Sequence, residues 1–414
     1  MSALVVRGAA SVVPLTGTGP IRGRDVENIT VLENATVACE GDRVASVRND
    51  EGGDREFDAS GCTVIPGFVD PHTHLPFYGW RADEDAARLS GRTYESIHGQ
   101  EGGIFRSARL LAEAADGDVL DFSERLARSM LSIGMMTFET KSGYGLSIDA
   151  ELRQLRLARA LADRVPQDVV TTCLAAHAVP DGKTQGEWVG EAAEKLLPVA
   201  AAEGLASACD IFVESIAFAL EHAARLSEKT GELGLRMRVH ADQLADNQTA
   251  SFAARWGFAS ADHLNHTSLA AVDDLAGSDT AAVLLPGATF TLRQAKKPPA
   301  RDLIEAGAVV ALGTDLNPGT SPISSMPFVI ALACRLYGLK PLEALAAATV
   351  NAAHVLGFTD RGRLVPDARA DIVVLDMPSF DHLAYRPDRN PVVATILGGE
   401  VAYLAADAGD RLHA

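Results

Sequence analysis

Positive charge is what this chain of 414 residues has least of: 37 Lys and Arg stand against 55 Asp and Glu, a formal net charge of −18. A nucleic-acid partner needs a basic face, so this balance argues against that class of partner. It also means that any anionic small molecule must find a local cation. Cysteine is sparse as well. Cys39, Cys62, Cys173, Cys209 and Cys334 are scattered, with no CxxC pair, which excludes a disulfide framework and suits reduced intracellular thiols. Long apolar runs are missing: residues 196–206 and 342–356 are too short or too interrupted to span a bilayer. Residues 1–10 carry one Arg and no long apolar run, so no signal peptide is expected. The expectation is a cytoplasmic protein with no membrane partner.

What is present is a globular composition, 47% hydrophobic and 22% charged, ample for a large core. The length allows a large barrel with a small satellite, or two ordinary domains. Both chain ends read as short strands between Gly, Asn and Asp turns: 4–7, 29–32, 36–39 and 43–48, then 371–375, 392–397 and 400–404. The middle alternates strand with helix. Apolar, β-branched runs fall at 64–69, 136–139, 169–174, 208–213, 237–239, 259–262, 281–285 and 309–312. Helical patterns lie between most of them, one over 149–161 behind a Ser147 N-cap and one over 341–356 closed by Gly357. Eight such units predict an α/β fold, a (β/α)8 TIM-type barrel over 67–361. Residues 1–66 and 362–414 are expected to form a composite β-sandwich domain.

Polar residues follow the apolar runs. The first run ends in Pro66-Gly67-Phe68-Val69-Asp70-Pro71-His72-Thr73-His74. In extended chain, residues two apart face the same side, so His72 and His74 converge. A lone HxH in a loop is commonplace, and a lone buried His is usually a satisfied packing residue. Here, however, His240, His263 and Asp315 each stand just beyond their own predicted strand. In a barrel those strand ends share one face, where chemistry is placed. Two imidazoles converging after an apolar strand suit a divalent metal. Zn2+ fits best, with Fe2+ or Fe3+ as alternatives.

HxH, His, His and Asp after strands one, five, six and eight resemble the amidohydrolase superfamily. That resemblance implies metal ligation by His72, His74, His240 and Asp315, with His263 close to the water and substrate. The metal would lower the pKa of its water from about 15.7 toward about 7. Asp315 would take the water proton and return it to the leaving nitrogen, while His263 positions the nucleophile and steadies the oxyanion. Lys141 stands near a strand end where binuclear members bridge two metals through a carboxylated lysine. A supporting role beside a single metal is the expectation here.

More specific stretches are Lys141-Ser-Gly-Tyr-Gly-Leu146, Ala176-His177-Ala178, His240-Ala-Asp-Gln243, Leu284-Leu-Pro-Gly287 and Asp315-Leu-Asn-Pro-Gly-Thr-Ser-Pro322. These are similar to the imidazolonepropionase family over residues 60–375. The resemblance implies hydrolysis of the cyclic amide of 4-imidazolone-5-propanoate to N-formimino-L-glutamate in histidine degradation, by a homodimer. Arg81 would bind the propionate through paired hydrogen bonds. Tyr94, Tyr144 and His177 would contact the substrate. Gln243 would sit beside the ring nitrogens as both donor and acceptor, with a catalytic part as well, and Asn317 would contact substrate or order the Asp315 loop. Phe77-Tyr78-Gly79-Trp80 and Gln100-Glu101-Gly102-Gly103 depart from the family pattern, which bears on substrate choice. The first alternative is a deaminase of the same superfamily acting on a heterocyclic base or formimino compound, although such members carry Glu where Gln243 stands. The second is a non-catalytic assembly barrel, although those lose metal ligands that are intact here.

Overall fold

The computed structural model describes residues 3–48, 53, 55–92, 97 and 102–413. Two sheets organise them. One draws on both ends of the chain: β1 (Ala3–Val12), β2 (Leu32–Glu40), β3 (Arg43–Arg48), β4 (Arg55–Asp58) and β5 (Thr63–Pro66) join four strands from the far end. These are β14 (Ile372–Leu375), β15 (Val392–Leu397), β16 (Glu400–Leu404) and β17 (Leu412–His413). The long β1 is the branch point. Its first half pairs in parallel with β4 and its last residues with β5, while β2 runs antiparallel along its other edge. All these strands except β16 and β17 send buried apolar side chains, such as Val6, Val37, Phe57, Val64 and Ile372, into one shared core.

The second sheet is an all-parallel barrel in sequence order: β6 (Phe68–Asp70), β7 (Met135–Lys141), β8 (Asp168–Ala176), β9 (Ala208–Val213), β10 (Arg236–Ala241), β11 (Ser260–His263), β12 (Ala281–Leu284) and β13 (Val310–Leu312). Helices between consecutive strands cover its outside, as parallel strands require. The seam between the first and last strands closes beyond their named ends. Asp315 N donates to His72 O at 2.9 Å, His74 N donates to Leu316 O at 2.9 Å, and Thr73 bridges Leu316.

Three sequence expectations are corrected. The run 64–69 is not one barrel strand. Thr63–Pro66 pairs with β1 and β14 in the terminal sheet, and only Phe68–Asp70 enters the barrel. Gly67 is the hinge between them; a Cβ there would lie 2.6 Å from Met136 Sδ, and its N–H donates to Asp371 O. The helical stretch 341–356 is two helices, Pro341–Ala347 and Val350–Leu356. Between them the Ala348 carbonyl turns away to accept from Val69 N at 3.0 Å, and Thr349 Oγ1 donates to Leu345 O at 2.6 Å. The break thus anchors the first barrel strand. Residues 29–31 likewise are not strand, since a 3-10 turn (Gly23–Asn28) occupies the approach to β2. Ser147 caps its helix as expected, accepting from Ala150 N.

Candidate active site

His72 and His74 lie just past β6, and the Thr73–Leu316 bridge keeps the chain extended there, so both rings face the same way. His240 is the penultimate residue of β10, His263 ends β11, and Asp315 follows β13. Ligand atoms of His72, His74 and His240 lie within 4.8 Å of one another, as do those of His72, His263 and Asp315. His74 Nε2 is 3.3 Å from Asp315 Oδ1, and His72 Nε2 is 3.7 Å from it. His263 therefore joins the cluster through His72 and Asp315.

All five side chains are buried. Burial, reinforced by neighbouring cations, pushes the His72 and His74 imidazoles well below their ordinary range, and burial takes His263 down to about 3. Burial also raises the Asp315 carboxyl, against the pull of His263 and His240. Neutral imidazoles are the ligating form. His263, Leu264, Asp242 and Asp315 all hold positive φ (80°, 63°, 51° and 53°), a backbone cost that non-glycine residues carry mostly at functional sites.

The cluster fits a divalent cation on a further observation. His72 Nδ1 meets Asp262 Oδ2 at 2.5 Å and His240 Nδ1 meets Asp210 at 3.2 Å. The opposite nitrogens, His72 Nε2 and His240 Nε2, are buried without a hydrogen-bond partner among the described residues. A carboxylate on one imidazole nitrogen and a free lone pair on the other is the arrangement of a metal-ligating histidine.

Above the cluster lies a small pocket. Arg81, Tyr144, His177, Gln243 and Asn317, all named from the sequence, line it together with His74, His240, His263 and Asp315. Arg81 is buried and its Nε has no hydrogen-bond partner among the described residues; Nη1 reaches Glu84 at 3.3 Å. His177 stacks on His74 with centroids 5.2 Å apart and contacts the Gly143 carbonyl. Glu151 accepts from the N–H groups of Gly143, Gly145 and Leu146 and so shapes the loop that presents Tyr144. Asn317 orders its own loop: Oδ1 accepts from Gly319 N and Thr320 N, and Nδ2 donates to Asp315 O.

Tyr94, Gln100 and Glu101 lie outside the described residues. Phe77, Tyr78 and Trp80 pack on Phe122 and not in the pocket lining. Lys141 is fully buried as an ammonium paired with Glu139 at 2.7 Å and Asp210 at 2.9 Å. Sequence reasoning missed Ile104, Phe212 and Thr320 in the lining, and Glu139, Asp210, Arg238 and Asp262 beneath the site. The last four had a signal: each is a charged residue inside an apolar strand, and Glu139 and Arg238 stand two residues before Lys141 and His240.

The sequence profile of the Amidohydrolase family matches residues 138–403, well over half of the chain, and the barrel with its His and Asp cluster is a metal-dependent hydrolase of that class. A curated imidazolonepropionase from Symbiobacterium thermophilum is 41% identical over 411 residues, covering 96% of each chain. Another, from Rubrobacter xylanophilus, is 42% identical, covering 96% of this chain and 97% of its own. The chain belongs to the imidazolonepropionase family. Solved structures share the fold at lower identity. N-isopropylammelide isopropylaminohydrolase from Burkholderia multivorans is 19% identical with a TM-score of 0.70, covering 98% of this chain and 99% of its own. Zinc-complexed atrazine chlorohydrolase from Arthrobacter aurescens is 16% identical with a TM-score of 0.69, covering 96% and 94%.

Proposed function

We propose that this enzyme hydrolyses the cyclic amide of 4-imidazolone-5-propanoate to N-formimino-L-glutamate, with Zn2+ at the His72, His74, His240 and Asp315 cluster. The observation that carries the reading is the buried Arg81, its Nε unpartnered among the described residues, on the wall of a pocket that His74, His240 and Asp315 of that cluster also line. In a chain of charge −18, a buried guanidinium facing a small pocket matches a carboxylate tail.

When bound, the divalent ion supplies Lewis acidity, polarising the ring carbonyl and lowering the pKa of a water toward about 7. The protein supplies the rest. Arg81 grips the propionate. Tyr144 and His177 border the ring, and the Gln243 amide offers both a donor and an acceptor to its N–H and C=O. Asp315 takes the proton of the attacking water as its oxygen bonds to the carbonyl carbon. The carbon–nitrogen amide bond then breaks, and Asp315 returns the proton to the departing nitrogen, which stays in the product as part of the formimino group. His263, neutral, holds the nucleophile and the developing oxyanion in place. The proposal extends to a cytoplasmic homodimer; the five free cysteines support the reducing compartment.

The test is turnover of 4-imidazolone-5-propanoate by the purified, zinc-loaded enzyme, followed by loss of imidazolone absorbance and by product analysis. Formiminoglutamate without ammonia is the expected result. Ammonia release, or no turnover by a fully loaded enzyme, overturns the reading.

A further inference from the structure

We propose that Lys141 and Arg238 are positioning residues that lock the His72 and His240 imidazoles in one tautomer through a single chain of buried charges. The chain is continuous. His72 Nδ1 donates to Asp262 Oδ2 at 2.5 Å, and Asp262 Oδ2 pairs with Arg238 Nη2 at 3.0 Å. Arg238 Nη1 is 3.1 Å from Glu139 Oε1, which is 2.7 Å from Lys141 Nζ. Lys141 Nζ is 2.9 Å from Asp210 Oδ2, and Asp210 accepts from His240 Nδ1 at 3.2 Å. No side chain along it is more than 4% exposed.

The links explain one another. A buried imidazole that must present the Nε2 lone pair needs its proton held on Nδ1, which takes an acceptor. Asp262 and Asp210 are those acceptors. A carboxylate this deep persists only beside a cation. Arg238 serves the His72 side, its fork spanning Ser260, Asp262 and Glu139. Lys141 serves the His240 side, and Glu139 joins the two cations so that neither repels the other unscreened. Charges along the chain match one ion. Three carboxylates against two cations leave one negative charge, Asp315 brings a second, and a single divalent cation cancels both. The Lys141 ammonium also fills the space between Glu139 and Asp210 that a second cation would need.

This inference rests on reading His72 and His240 as ligands of one ion, and its test separates the two claims. The metal-free enzyme, labelled with 15N-histidine, is titrated with zinc against a competing chelator, and the imidazole tautomers are read by NMR. The parent protein is expected to bind one zinc and to show Nδ1–H tautomers for His72 and His240. If it binds none, the ligand reading fails. Arg238→Lys keeps the charge and loses the fork. It is expected to weaken zinc roughly 10- to 100-fold and to mix the His72 tautomers while leaving His240 unchanged. Lys141→Met is expected to do the same to His240 and spare His72. Folded variants with zinc affinity within about twofold of the parent and unchanged tautomers overturn the inference. If Lys141→Met does not fold, Arg238→Lys decides alone.

Discussion

Gly319 lies so close to Arg81 that a methyl group on it would fall 1.9 Å from Nη2. The missing side chain is what allows the guanidinium to lie flat against the loop after β13, facing the pocket. Gly319→Ala should therefore displace Arg81 without touching the metal cluster. The expected result is a KM for the propionate substrate raised roughly tenfold or more, as for a lost charge-assisted hydrogen bond, with metal content and kcat little changed. Steady-state kinetics with parallel metal analysis checks it. An unchanged KM would mean that the arginine does not hold the carboxylate.

Asp315→Asn keeps the shape of the side chain and removes its proton chemistry. A fall in kcat of roughly 10³-fold is expected, with the far-ultraviolet circular dichroism of the parent retained. Near-parental turnover would remove Asp315 from the mechanism.

The fold was legible in the sequence because its signals are local. Strands such as the parallel 208–213 and the antiparallel 392–397 were read at their observed bounds, since burial on both faces makes each a mostly apolar run. The metal cluster was legible for the same reason, its residues sitting at the ends of those runs. Long-range demands were not legible. Nothing local to 341–356 says that the Ala348 carbonyl must serve Val69, and nothing local to 64–69 says that half of the run belongs to the other sheet. The carboxylates beneath the site were visible as charges in the predicted strands, but their pairing depends on how the strands close around one barrel interior. Only the barrel order brings Glu139 of β7 to Arg238 of β10.

One buried carboxylate holds three N–H groups of the loop that carries Tyr144, whose own N–H donates to Gln154 Oε1. Glu151 accepts from Gly143 N at 2.9 Å, Gly145 N at 2.7 Å and Leu146 N at 3.0 Å, and it is fully buried. Glu151→Ala should leave three N–H groups without their acceptor, at about 1–3 kcal/mol for each that stays buried. The expected outcome is a lower melting temperature together with a raised KM as Tyr144 loses its place. A melting temperature equal to the parent's would show that the loop is held by other means.

Every cysteine is shifted away from reactivity. Burial pushes Cys39 and Cys173 up to about 12 and Cys334 to about 11, and it raises Cys62 and Cys209 too. A raised thiol pKa leaves the unreactive protonated form in place at pH 8, and the thiolate gains only as the pH climbs toward those values. Native protein treated with iodoacetamide at pH 8 should be labelled far more slowly than a free thiol of pKa about 8.5, with Cys334, only partly buried, reacting first. Mass spectrometry that finds rapid labelling at Cys39 or Cys173 would contradict the packing described.

The central claim is that one cation, held by His72, His74, His240 and Asp315, arms water against the imidazolone ring. Its most direct measurement is titration of the metal-free enzyme with zinc while turnover of 4-imidazolone-5-propanoate is recorded. Activity should be absent without metal, rise in proportion to added zinc, and level off at one ion per chain. Turnover by rigorously metal-free protein, or a plateau reached only at two ions, would contradict it.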